Sequence, residues 1–398
     1  MQIKDEYDSF RLSTGGLFYR FFTRIHIQDP DNTTTIRRHA ALVTLCWLPL
    51  ILLTAIEGNL INSELDLPFI YDLKPYVRYL IVLPILIEAD GIIDRLVSDV
   101  LLSISTSGIL GDDGKDAYSK AVDQLAKRKD SNIADIVILI VIMIIALSLL
   151  ANLDNLDVSS EFTSWMTVYG DSKTTLTYAG WWFLLVSSPI LLIILFRWFW
   201  RFYLWSEFLY RVSRIKLYLQ PAHPDMAAGL GILKNSESAF TLIAFAFGSM
   251  LSVAVAEDIL YTDMTLIESL PVVAVYIGTA IIIMTLPLLF FSKQIARVRL
   301  WGRVAYGNLG YQLSRAFDEK WANPSDQNNG DELLKKNDSS AVCDYAEIYS
   351  NVRSVQIIPT SLRDYLEQII VLIIPFLPLV LTEHSITDVL KRIMDTLV

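Results

Sequence analysis

Residues 133–151 read IADIVILIVIMIIALSLLA, with one charge, Asp135, in the whole run. Nothing in it alternates, so it is not a barrel strand. A continuous apolar run of about 18 residues or more is a helix long enough to cross a bilayer. In hydrocarbon only helices and closed barrels satisfy their own backbone groups. The rest of the chain agrees: of 398 residues 53% are hydrophobic and 19% charged, with a mean hydropathy of +0.42. Soluble domains carry about 25% charged residues. The fold class is therefore all-α, a polytopic helical membrane protein with six or seven transmembrane helices and cytoplasmic helical extensions.

Working outward, the spanning helices are expected at Ala40 to about Ile56, Pro75 to Ile92, Ile133–Ala151, Ala179–Trp200, Phe240–Ala256 and Leu270–Phe291. A seventh run, Gln368–Leu381, holds Pro375 and Pro378 and either crosses or re-enters. The first 30 residues contain no short apolar core with a cleavage site, so no cleaved signal peptide is expected. Lys and Arg number six in residues 1–39, two in 57–78, six in 92–132, one in 152–178, six in 197–238, none in 257–270 and ten in 292–366. Basic residues concentrate in cytoplasmic loops, so this alternation predicts a cytoplasmic N-terminus. Trp181 and Trp182 sit at the outer end of the fourth helix, and Trp198 and Trp200 at its inner end, as an aromatic belt would place them.

The regions that follow are a cytoplasmic N-terminal segment (1–39), a six-helix membrane region (40–292) with cytoplasmic loops 92–132 and 197–238, a cytoplasmic helical segment (293–366), and the seventh run with an amphipathic tail (367–398). Within the first, GGLFYRFFTRIHI (15–27) mixes aromatics with arginines, either to lie at the headgroup level or as a small soluble helix. Residues 94–132 read as a helical hairpin broken at GILGDDGKD (108–116). The fourth helix continues inward with Glu207 and Arg211 paired at i,i+4. The sixth continues with Leu309, Leu313, Phe317 and Trp321 as an apolar stripe. Residues 323–340 are a polar loop, followed by an amphipathic helix around Val342, Tyr345, Tyr349 and Val352. SLRD (361–364) is a capping box, and the tail aligns Ile386, Val389, Leu390, Ile393, Met394 and Leu397 on one face.

The three outer segments hold twelve carboxylates and three basic residues, a net of −9 out of −10 for the chain. Retention of basic residues inside explains this; attraction of cations is the functional reading. Ala244, Gly248, Ser252 and Ala256 recur every four residues in the fifth helix, a ridge for close helix packing, either within the chain or between subunits. Glu257 and Asp258 cap it, and in a symmetric oligomer would form a carboxylate ring. Glu88 and Asp90 lie near the inner end of the second helix. Ionisable groups there pair or face a cavity, with Arg197 the expected partner; the alternative is an ion or proton path.

The stretch LQPAHPDMAAGLGILKNSE (219–237) is a compact polar interruption holding His223, Asp225, Gly229 and Gly231. Pro221 and Pro224 end the extension of the fourth helix, and Asp225 caps a new short helix. The loop is either an elbow or a gating and ligand site for His223 and Asp225. Its HPD tripeptide also occurs in J-domain co-chaperones, but the context differs. GILGDDGKD fails the Walker spacing, and HExxH, GxSxG and paired Cys/His spacings are absent. Cys46 and Cys343 are two isolated thiols. No metal, cofactor or nucleic-acid partner is expected, and no catalytic constellation is visible.

Several stretches resemble a family of uncharacterised bacterial polytopic inner-membrane proteins with an HPDxAxGLG loop. They are WLPLILL with EG (47–58), PILIEA (84–89), HPDMAAGLG (223–231), YGNLGYQLSRAFDEKW (306–321) and IPFLPLVL (374–381). The resemblance implies location in a bacterial cytoplasmic membrane and no particular activity. This chain has AAGLG where a second glycine is frequent in the family. The leading functional expectation is a channel- or transporter-like protein, as a homo-oligomer or alone, whose acidic outer face favours cations. The rival is a membrane-anchored scaffold or sensor docking a soluble cytoplasmic partner on its helical extensions.

Overall fold

A computed structural model describes residues 10–24, 35–152, 163–169, 174–262, 264–322 and 338–383. Both the 323–337 part of the polar loop and the amphipathic tail beyond 383 lie outside these residues, as do the Asp154, Asp157, Glu161, Asp171 and Asp263 carboxylates. Among the described residues the fold is all-α apart from one short antiparallel hairpin, which the sequence reading did not anticipate. We name the helices α1 (Gly16–Arg24), α2 (Thr35–Ile56), α3 (Leu73–Tyr76, a π-turn at Val77–Val82, then Leu83–Thr106), α4 (Gly111–Lys129) and α5 (Asn132–Ala151). The hairpin is β1 (Thr167–Tyr169) with β2 (Thr174–Leu176). Then come α6 (Tyr178–Val212), α7 (Leu233–Tyr261), α8 (Leu266–Thr285), α9 (Ser292–Phe317), α10 (Asp338–Ser354) and α11 (Leu362–Ile373). A tight 3₁₀ turn, Ile374–Leu379, and Val380–Glu383 prolong α11 without a gap.

Among the described residues five helices are long and apolar enough to cross a membrane: α2, α5, α6, α7 and α8. Their burial differs in a way that orders the bundle. For α7, 59% of the apolar window is buried, against 17% for α5 and 11% for α8. A helix that is apolar all round yet bare of protein partners faces lipid, so α5 and α8 are outer staves. At the centre, α7 lies along α3 and against α11 and α8.

Side-chain contacts define two ends of the bundle. At one, Glu57 beyond the C-terminus of α2 accepts from the Tyr178 and Ala179 backbone N–H at 2.6 and 3.3 Å. That carboxylate serves the orphan donors at the start of α6. Trp165 Nε1 donates to Asp72 at 2.8 Å, and Lys74 meets Glu257 of α7 at 2.5 Å. At the opposite end Arg38 of α2 and Arg201 of α6 converge on Asp90 of α3. The 18 residues from Asp72 to Asp90 rise about 27 Å as a helix, close to the thickness of a bilayer core.

The small-residue ridge of α7 is filled from within the chain. Tyr276 of α8 lies over Gly248 and donates to the Ala244 carbonyl. Ser252 Oγ donates to the Pro375 carbonyl at 2.6 Å, and Ala256 packs with Val273, Phe376 and Leu379. Because α11 starts beside Lys234 (Lys234–Asp364, 3.4 Å) and reaches Ala256 near the other end of α7, it climbs most of the bundle.

Several helix boundaries differ from the sequence expectation, two of them for a clear physical reason. The eighth helix stops at Thr285, because Pro287 removes a backbone donor and clashes with the preceding turn; a 3₁₀ turn at Leu288–Phe291 replaces the last stretch. The third continues to Thr106, well past Ile92, because its inner half is buried in protein rather than ended by the membrane surface.

A Cβ at Gly248 would sit 3.1–3.4 Å from the Tyr276 ring and hydroxyl. Gly248→Leu is therefore expected to cost about 1–3 kcal/mol through overpacking. Thermal unfolding in detergent checks it, with Ser249→Ala as a milder control; an unchanged midpoint would show that the ridge is not a tight contact.

Candidate functional site

Among the described residues three polar clusters hold the sequence-predicted site residues, and the first is buried at the Asp90 end. Asp90 receives Arg201 Nη1 at 2.6 Å and Arg38 Nη2 at 2.8 Å. Asp90 and Arg201 are each 7% exposed. The Trp198 ring lies 4.5 Å from the Arg201 guanidinium carbon, while its Nε1 donates to the Leu86 carbonyl at 3.2 Å. α3 and α6 are thereby locked by the Arg201–Asp90 ion pair and the Trp198 wedge, and Arg38 ties α2 to the same carboxylate.

Arg201 also donates to the Ser13 carbonyl at 2.8 Å, and Asp94 accepts from the Ser13 backbone N–H at 2.7 Å and from its hydroxyl. Burial pushes the Asp94 carboxyl up, with the two Ser13 donors opposing. One turn away, Arg197 donates to the Gly15 carbonyl at 2.7 Å. Asp135 caps α1, accepting from Leu17 N–H at 2.5 Å and Phe18 N–H at 3.4 Å. Gly15 and Gly16 both have positive φ, and a Cβ on either would strike Asp130 or Asp135. Only glycine permits this approach. The segment leading into α1 is thus strapped across the bundle by α3, α5 and α6.

These contacts correct one sequence expectation. Arg197 does not pair with Glu88 or Asp90; it faces Asp135 at 4.0 Å and the strap. Arg201, one helical turn further along the same face, takes Asp90 instead. Glu88, two residues from Asp90, points elsewhere: its side chain is 59% exposed and meets His39 at 3.5 Å.

The second cluster joins Asp72, Lys74, Trp165 and Glu257 at the other end. Glu257 is 5% exposed, with one oxygen on Lys74 and the other without a hydrogen-bond partner. Asp258 is exposed. Asp90 and Glu257 are each held against a basic side chain of the same chain.

The third cluster is the loop after α6. Asp225 is its hub. One carboxylate oxygen accepts from the Ala227 and Gly229 N–H at 2.9 and 3.1 Å, the other from Gly231 N–H at 2.8 Å. His223 Nδ1 lies 2.9 Å from Asp225. Burial opposes the charge, but the three backbone donors and His223 outweigh it and hold the Asp225 carboxyl below the usual range. This replaces the expected short capped helix: turns run from Pro221 to Ile232, with Met226, Ala228 and Gly229 at positive φ. For Met226 and Ala228 that conformation is strained, and Asp225 supplies the bonds that offset it. Gly231 is required because its Cβ would come within 2.9 Å of the Asp225 Cβ.

The loop also carries weight beyond itself. Gln356 N–H donates to the Met226 carbonyl at 2.8 Å, and Pro221 fills the space left by Gly302 of α9. It therefore docks the α9–α10 hairpin onto the membrane bundle. Sequence reasoning found Asp225 and the glycines; it had no signal for Gln356 or Gly302, which lie far away in the chain. Among the described residues no group of three His, Cys, Asp or Glu side chains is arranged to hold a metal. Compared with known proteins, the chain matches no family model, no curated protein and no solved structure.

Two outcomes follow. Arg201→Gln leaves Asp90 buried with one partner and frees Ser13, at an expected cost of about 3 kcal/mol. Arg201→Gln/Asp90→Asn should recover part of it, as a double-mutant cycle of melting midpoints would read. For Asp225 the folded pKa is depressed, so its contribution is fully present above the unfolded carboxylate value of about 3.9 and lost as pH falls through the folded value. Asp225→Asn should lower stability at neutral pH, the gap from wild type closing below about pH 4. A pH-independent gap would mean that the charge is immaterial.

Proposed function

We propose that this protein is a membrane-anchored docking platform, with the α9–α10 hairpin as its working surface. The observation that carries this reading is the outward face of α9. Leu300, Trp301, Val304 and Tyr311 are 58–71% exposed and fall on one side of the helix, among Arg297, Arg303 and Arg315. That density of arginine keeps α9 out of hydrocarbon, so its apolar face is not explained by lipid. Large exposed apolar patches rimmed by polar groups mark interaction sites.

The accompanying topology has seven crossings. α3 runs between the two polar ends although its charges disguise it, and α11 with its 3₁₀ extension climbs beside α7. The Lys/Arg alternation places the Asp90 end, α4 and the α9–α10 hairpin in the cytoplasm. The net −9 of the outer segments favours the second reading, a cation channel or transporter. Against it stand Arg38 and Arg201 on Asp90, Lys74 on Glu257, and a packing ridge already covered by Tyr276 and Pro375. An inner-membrane location, and any homo-oligomer, are part of the proposal.

Two measurements test it. Photo-crosslinking residues at positions 300 and 304 should each yield one discrete adduct in cells, and the same residue at 120 on α4 should not. Purified protein in liposomes should pass no cations under a gradient or potential. Flux that disappears with Glu257→Gln or Asp90→Asn, together with no adduct on α9, would overturn the docking reading in favour of conduction.

A further inference from the structure

The hairpin that presents the apolar face also encloses a groove of about 410 Å³, lined by Arg303 of α9 and by Ala346, Tyr349, Ser350, Arg353 and Ser354 of α10. Its size is within the range of small-ligand sites, roughly 300–1,000 Å³. The lining brings two guanidiniums and three hydroxyls together and contains no carboxylate. Neither Arg303 nor Arg353 is paired with a carboxylate among the described residues.

The groove is held in shape rather than formed by loose side chains. Arg303 Nη2 donates to the Arg353 carbonyl at 3.0 Å, which fixes the first guanidinium against the last turn of α10 and answers the negative end of that helix. One arm of its fork is engaged and the others remain. Tyr349 is stacked on Tyr345, ring centroids 6.3 Å apart and planes 9° apart, and Tyr345 donates to the Tyr306 carbonyl. Gly307 and Gly310 of α9 leave the room into which these two rings close. Ser350, Arg353 and Ser354 follow on the same side of α10, and Ala346 keeps the upper part of the groove open.

We infer that this groove binds a phosphate group, on a small phosphomonoester or on a lipid headgroup, between Arg303 and Arg353. Guanidinium forks match the oxygens of phosphate in a bidentate manner. Hydroxyls from Tyr349, Ser350 and Ser354 supply further donors, and the absence of an internal carboxylate leaves the positive charge for a ligand. A cation would meet two arginines, and an apolar ligand would strip water from them without compensation. The inference is independent of what docks on the apolar residues of α9.

The test uses the full chain in detergent and in nanodiscs. Inorganic phosphate, against chloride at equal ionic strength, should raise the melting midpoint of wild type, and Arg303→Gln and Arg353→Gln should each weaken the half-saturating concentration at least tenfold. Arg297→Gln, on α9 outside the groove, should leave it unchanged. In nanodiscs, phosphatidic acid in place of phosphatidylcholine separates the two sources. Stabilisation by phosphatidic acid that the groove variants abolish, without a response to free phosphate, assigns the headgroup. Where a glutamine variant unfolds, Arg353→Lys, which keeps the charge and loses the fork, should bind with an intermediate affinity. No response to either probe, or a response equal in wild type and both variants, overturns the inference.

Discussion

Asp90 takes a full negative charge into the protein at the point where α2, α3 and α6 meet, and the surrounding structure is arranged to keep it paired. A buried carboxylate with a missing partner costs several kcal/mol, so Arg38 and Arg201 cannot drift without destabilising the whole end of the bundle. Their positions set the rotation of α2 and α6 about their axes. In lipid there is no hydrophobic force to set that rotation, and specific polar contacts take its place. Arg201 then spends its second arm on Ser13, so the same pair that aligns the membrane helices also fastens the segment before α1.

The opposite end repeats the logic with different parts. Glu57 caps α6, Asp72 takes Trp165, and Lys74 takes Glu257, so α2 is tied to α6 and α3 to α7 at that end through polar groups. Between the two ends the packing is small against large: Gly248 under Tyr276, Ser252 on the Pro375 carbonyl, Ala256 among Phe376 and Leu379. The polar ends fix register while the small residues let backbones close. Together they put Glu57, Asp72, Asp90 and Glu257 in structural service.

The Leu219–Ile232 loop connects this bundle to the α9–α10 hairpin. Asp225 gathers three backbone N–H groups and so stabilises left-handed residues that would otherwise be strained. Local strain of this kind persists only where the surroundings over-determine it, and here the surroundings are Gln356 and Gly302. A loop built this way ties the position of the hairpin to that of the bundle.

The sequence by itself determined that the chain is helical with helices long and apolar enough to cross a membrane, because apolar runs such as 133–151 satisfy their backbones in hydrocarbon only as helices. It also marked the ridge at Ala244–Ala256, the capping box at Ser361 and the importance of Asp225, since each is written in local spacing. It ended the second spanning helix near Ile92 and started a separate helical hairpin at 94, where α3 runs unbroken to Thr106, and it chose Arg197 over Arg201, one turn apart on the same face. Spacing names the face of a helix but not the depth at which a partner meets it. Tertiary structure alone decided that depth, the strap of residues 12–18 across three helices, and the meeting of Arg303 with Arg353. Those contacts join segments dozens to nearly two hundred positions apart, and no local pattern encodes which of many basic residues will arrive at which carboxylate or carbonyl.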